Sequence, residues 1–143
     1  MNVCPDGEPA MTLELHDYPP LALQQMNHEH EQLAVCLNQA EQAILLGQPA
    51  LPRLRSLLEI CRSHFAQEEA DMESLGFSGL ARHRHEHQQM LGWLEQALVD
   101  YERDGDVSPI VQLLIDDIPD WFGRHMQGAD RQLAQFLAGQ LSN

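Results

Sequence analysis

The chain contains no lysine; its eight basic residues are all arginine and stand against 22 aspartates and glutamates, for a formal net charge of −14. That balance excludes nucleic acid, whose phosphates would be repelled, and disfavours an anionic membrane surface. A phosphorylated or sulfated guest fits no better. The acidic surface suits a soluble, self-repelling particle. No apolar run approaches the roughly 20 residues that a membrane span needs. The first residues, MNVCPDGEPAMTLELH, show neither a basic start nor an apolar stretch, so no secretory signal is expected. Cys4, Cys36 and Cys61 are an odd count without CxxC spacing, which reads as free thiols in a reducing compartment, by default the cytoplasm. Strand signals are missing too: there are no alternating β-branched runs and no Asn-Gly hairpin.

What remains is a chain of 143 residues, 43% of them hydrophobic, long enough for one domain with a real core. Residues 1–20 carry Pro5, Pro9, Pro19 and Pro20 and read as an extended arm; residues 21–141 read as the domain. Four amphipathic segments follow one another. Leu23, Met26, His30, Leu33, Leu37, Ala40 and Ile44 recur at spacings of three and four, the mark of one helix face. A second face runs Leu54, Leu57, Cys61, His64, Glu68, Met72, and a third Leu80, His83, His87, Met90 or Leu91, Leu94, Leu98, Tyr101. The fourth starts at Ser108-Pro109, with Ser as N-cap, and presents Val111, Leu114, Ile118, Trp121 and His125, then Leu133 and Leu137. Gly47, the Gly76-to-Gly79 cluster and Gly105 separate them. The expected fold is all-α, an up-down-up-down four-helix bundle behind an N-terminal extended arm.

The unusual feature is what occupies the buried stripes. His30, His64, Glu68, His83, His87 and His125 all lie where leucines should be. Each polar group buried without a partner costs roughly 1–3 kcal/mol, and a domain has only about 5–15 kcal/mol of stability to set against them. A metal would satisfy them together. His64 and Glu68 are four residues apart, as are His83 and His87, so each pair projects from one side of its helix. Imidazole with carboxylate suits iron, zinc or manganese, and so many donors suit two metals bridged by carboxylates better than one tetrahedral zinc. Asp130 is less obvious, lying about 140° round an ideal helix from His125. The apolar stripe slips by one residue over that stretch, because Leu133 and Leu137 are in phase with Asp130. A π-bulge near Gly128 would bring Asp130 inward.

The fragments Met26-Asn27-His28-Glu29-His30-Glu31-Gln32-Leu33, His64-Phe65-Ala66-Gln67-Glu68-Glu69, His83-x-x-x-His87 and Trp121-Phe122-x-x-His125-x-x-x-x-Asp130 resemble the hemerythrin family, particularly its bacterial branch. The connection from Met72 to Leu80 is similar as well. The resemblance implies two iron ions with an oxo or hydroxo bridge. It places one ion on His83, His87 and His125, the other on His30 and His64, with Glu68 and Asp130 bridging. Dioxygen would bind reversibly at an open position on the two-histidine iron, in an apolar pocket for which Leu33, Phe65, Phe122 and Met126 are the lining candidates. The chain departs from the family at Asn27, where an aspartate is common, in an arm without tryptophan, and at Pro119, which should kink the fourth helix.

Any one of these histidines, taken alone, would be a satisfied core or surface residue; the ordered set of seven is what points to metal. His28 and His85 fall on other faces and His16 in the arm, all expected in solvent. Glu69 and Asp71 read as a solvated face, with Glu69 able to support a ligand from behind. Cys61, Trp121, Met72, Met90 and Met126 read as core packing. The expected role is non-enzymatic: oxygen carriage, storage or sensing, with a signalling output domain or partner if the chain is a fragment of a longer one. The alternatives are a di-iron enzyme or redox sensor handling peroxide or nitric oxide, and an iron-responsive interaction module. Five histidines to two carboxylates argue against the carboxylate-rich sites of oxygenases.

Overall fold

The computed structural model describes the backbone of residues 24–142 and the side chains of residues 28–139; the expected arm lies outside the described residues. Among those described, every regular element is helical: α1 (Gln24–Leu45), α2 (Leu51–Ser74), α3 (Leu80–Asp104) and a fourth helix, α4, over residues 108–142. Short connections turn each helix back on the one before, which gives the expected bundle. α2 packs between α1 and α3, and α4 closes the ring against both. No helix of the described residues is long and apolar enough to cross a membrane.

The breaks follow local chemistry. Pro52 sits in the first turn of α2, where its missing N–H is no loss. α3 ends at Gly105, whose φ of 70° is a conformation that glycine adopts without strain. The cap of α4 differs from expectation. Asp106, rather than Ser108, does the capping: its Oδ1 accepts the Ser108 N–H at 3.0 Å. The carboxylate precedes the helix by two residues and reaches the amide directly.

α4 is not uniform. Two π-turns, Leu113–Asp117 and Met126–Asp130, interrupt its α-helical stretches. The second lies at the bulge expected around Gly128. The first was not expected, and it re-phases the buried stripe so that Ile110 rather than Val111 is buried. At that turn the Ile118 N–H bonds Leu113 O, five residues back. The helix then runs on through Pro119, since the widened turn just before it accommodates a residue with no N–H.

Apolar side chains form two groups. The larger contains Leu37, Leu54, Leu94, Leu114, Ile118 and Trp121; the smaller is Met72, Leu133 and Ala134. On each of three helices a polar residue separates the two groups: Glu68 between Phe65 and Met72, His83 between Leu80 and Met90, Asp130 between Met126 and Leu133. A polar layer therefore crosses the bundle. One cysteine also departs from expectation: Cys36 is disulfide-bonded, while Cys61 is a buried free thiol. An odd count of three allows one bridge and one thiol, and spacing alone could not choose.

Candidate metal centre

All seven side chains singled out in the sequence meet in this layer. α1 supplies His30, α2 His64 and Glu68, α3 His83 and His87, and α4 His125 and Asp130. The i, i+4 pairs on α2 and α3 point inward from consecutive turns, as their spacing demands. Asp130 arrives because the π-turn Met126–Asp130 adds a residue between it and His125. Gly128, inside that turn, lets the Arg82 guanidinium lie against the backbone: a Cβ there would come within 2.9 Å of Arg82 Nη2.

The donors fall into two groups that share Glu68. In each group, one donor atom per residue lies within 4.8 Å of the others: Glu68, His83, His87 and His125 in one, His30, His64 and Glu68 in the other. Both carboxylates divide their oxygens between the groups. Asp130 Oδ1 is 2.8 Å from His83 Nε2 and 3.0 Å from His125 Nε2, while its Oδ2 is 2.9 Å from His30 Nε2. Glu68 Oε1 is 2.8 Å from His83 Nε2 and 3.1 Å from His87 Nε2, and its Oε2 is 3.8 Å from His64 Nε2.

The electrostatics are those of a site that wants positive charge between its carboxylates. Burial alone would raise the Glu68 pKa, yet the facing His83 and His87 hold it down to about 2. Asp130 is likewise held well below the usual carboxylate range, against burial, chiefly by His125. His125 is pushed up to about 9: burial opposes the charge, and Asp130 outweighs it. His64 and His83 shift upward in the same sense, against their own burial.

Carboxylates behind the rings fix which nitrogen faces inward. His87 Nδ1 donates to Glu69 Oε2 at 2.8 Å, and His125 Nδ1 donates to Glu86 Oε1 at 2.6 Å. With Nδ1 donating outward, each Nε2 is turned to the centre, where it can give a lone pair to a metal ion. Those inward atoms, His87 Nε2 and His125 Nε2, and Glu68 Oε1 opposite them, are buried with no hydrogen-bond partner. Imidazole nitrogens and carboxylate oxygens gathered at about 3 Å need positive charge between them, from protons or from a metal ion, so these residues fit a bound metal ion.

The family model of the hemerythrin HHE cation binding domain matches residues 50–137, more than half of the chain. The chain belongs to the hemerythrin family. Similarity to the bacterial branch is direct: a protein named Bacteriohemerythrin from Ralstonia nicotianae is 36% identical over 75 residues, 52% of this chain and 53% of that protein. The chain thus spans about half the length of the curated relative it matches. No solved structure matches it. The hemerythrin model begins at α2, so the place of His30 in the centre rests on geometry, above all its 2.9 Å approach to Asp130.

Among the donors lies a cavity of about 20 Å³, lined by His30, His64, Glu68, His125 and Asp130 together with apolar side chains. Three of the four expected lining residues, Leu33, Phe65 and Phe122, form part of its wall; Met126 is buried in the core but does not line it. Cys61, Met90, Ile118 and Trp121 line it as well, and these were read as core packing or stripe positions. Phe65 stacks on His87 at 3.9 Å between ring centroids, and Trp121 on His125 at 4.5 Å. His28 and His85 are exposed, as expected.

Three supporting carboxylates share a pattern that sequence reasoning caught only in Glu69. Each is next in sequence to a donor on its own helix and serves a histidine on the following one. Glu29 beside His30 faces His64, Glu69 beside Glu68 serves His87, and Glu86 beside His87 serves His125. The signal was an acidic neighbour to a donor, which helix phase alone assigns to the flank.

Proposed function

We propose that this hemerythrin-family chain binds dioxygen reversibly at a pair of iron ions, acting as a carrier, store or sensor and not as an enzyme. The observation that carries the reading is the division of both carboxylates between a three-histidine and a two-histidine group. One ion would call for one such group; two groups sharing Glu68 and Asp130 suit two ions and an oxo or hydroxo bridge. When bound, the iron pair supplies the electrons that dioxygen draws on as it binds.

The chain's own residues do the rest. His83, His87 and His125 would hold one ion, and His30 and His64 the other. Glu69 and Glu86 keep His87 and His125 in the tautomer whose Nε2 faces inward. Leu33, Phe65 and Phe122 supply the apolar part of the cavity wall, which dioxygen would meet next to the ions. The imidazole-rich donor set favours binding over oxidation of a substrate. The −14 charge keeps nucleic acid out of the partner list. A signalling output domain or partner is part of the proposal if the chain belongs to a longer polypeptide. A cytoplasmic setting is part of it too.

The test is a visible spectrum of the iron-loaded protein, reduced without air, exposed to oxygen and then degassed. A charge-transfer band that rises with oxygen and disappears on degassing supports reversible binding. A direct passage to a stable ferric spectrum would end the carrier reading and favour redox sensing or enzymatic chemistry.

A further inference from the structure

The five histidines are not held alike. On the three-histidine side, two rings are locked from behind by a carboxylate that is itself gripped by an arginine. Glu69, which accepts from His87, receives Arg84 Nε at 3.2 Å; Glu86, which accepts from His125, receives Arg82 Nε at 3.0 Å. His83 Nδ1 on that side and His30 Nδ1 on the two-histidine side are both buried without a hydrogen-bond partner. His64 Nδ1 stands 3.6 Å from Glu29 Oε1, a looser pairing than the 2.8 and 2.6 Å contacts behind His87 and His125. Support of this kind fixes a ring's orientation and strengthens its donor nitrogen, and its loss weakens a metal site about 10- to 100-fold.

Access is unequal in the same direction. His87 is fully buried at 0%, and His83, His125 and, on the two-histidine side, His30 are nearly so; His64 differs. The His64 side chain keeps 9% of its surface exposed and lines a surface groove of about 440 Å³ between α1 and α2. Glu29, Glu59, Ser63 and Gln67 line the same groove, and its acidic groups raise the local concentration of cations. Leu33 and His64 line both this groove and the inner cavity.

We propose that the two metal positions load and empty in order: the three-histidine position fills first and keeps its ion, and the two-histidine position exchanges its ion past His64 through the α1–α2 groove. This rests on the two-metal reading of the centre. The strongly held ion has three histidines, two of them braced and all three buried. The other has two histidines, one of them backed only by the long Glu29 contact and lying at the foot of a cation-attracting groove.

The experiment is a stepwise cobalt(II) titration of the metal-free full-length chain, followed by chelator challenge with metal content measured over time. Two equivalents should bind, and one should leave at least about tenfold faster than the other. His64→Ala should leave a single equivalent that is released as slowly as the retained ion of the unaltered chain. Glu86→Gln should speed release of the slow ion and leave the fast one unchanged. Ser63→Trp, placed over the groove, should slow the fast ion only. Release of both ions at one rate, or a fast phase that Ser63→Trp leaves unchanged, would overturn the ordered exchange while leaving the two-metal site intact. No cobalt binding at all would overturn the two-metal reading itself.

Discussion

Removing metal should lower the melting temperature by at least about 10 °C. Glu68 Oε1, His87 Nε2 and His125 Nε2 are buried, face one another and have no hydrogen-bond partner. Each such orphan costs roughly 1–3 kcal/mol, so the three together cost at least about 3 kcal/mol when no cation lies between them. Protons relieve part of this, as the upward shift of His125 to about 9 shows, so the low end of the range is the one to use. For a domain of this size, 1 kcal/mol moves the midpoint by about 4 °C. Bound metal adds to the difference by mass action, because the unfolded chain cannot assemble donors from four helices. The assay is thermal unfolding followed by circular dichroism, on chelator-treated protein and on protein reloaded with iron(II) without air. Midpoints within about 2 °C of each other, with the metal contents verified, would refute the reasoning and mean that the layer satisfies itself.

Three other outcomes are expected. Leu33→Phe should fill the small cavity, leaving two metal ions per chain but suppressing the oxygen-dependent spectral change; an unaltered change would place the oxygen pocket elsewhere. Gly128→Ala should shift stability by less than about 1 kcal/mol in urea unfolding. The new Cβ meets only the tip of the half-exposed Arg82 side chain, whose ion pair is worth little, and alanine favours a helix by about 1 kcal/mol over glycine. A loss above about 2 kcal/mol would show that the π-turn itself requires glycine. Burial pushes the Cys61 thiol up to about 12, so it should resist iodoacetamide at pH 8 in the folded protein and react once unfolded. Native-state labelling of its peptide, read by mass spectrometry, would contradict that burial.

The donors were readable before the structure because they break a strong rule. His83 and His87 replace leucines in an otherwise regular stripe, and no satisfied core explains so many at once. Asp130 was readable for a subtler reason: the stripe of α4 changes phase between His125 and Leu133, and only an inserted residue does that. The first π-turn left no comparable mark, because either Ile110 or Val111 could have continued the stripe. Glu86 was missed for a geometric reason. Its helix phase places it on the flank of α3, and only the position of α4 turns that flank towards His125. The Asp106 cap and the Cys36 bridge similarly depend on neighbours that spacing does not specify. Met126 shows the reverse error, since adjacency to His125 in the chain did not bring it to the cavity wall.

Reversible oxygen binding at a shared pair of ions is tested most directly by gas uptake of the reduced, fully iron-loaded protein, followed by evacuation. The account predicts one dioxygen taken up per two irons and recovered as gas. Uptake of one per iron, or oxygen consumed and not recovered, would contradict it.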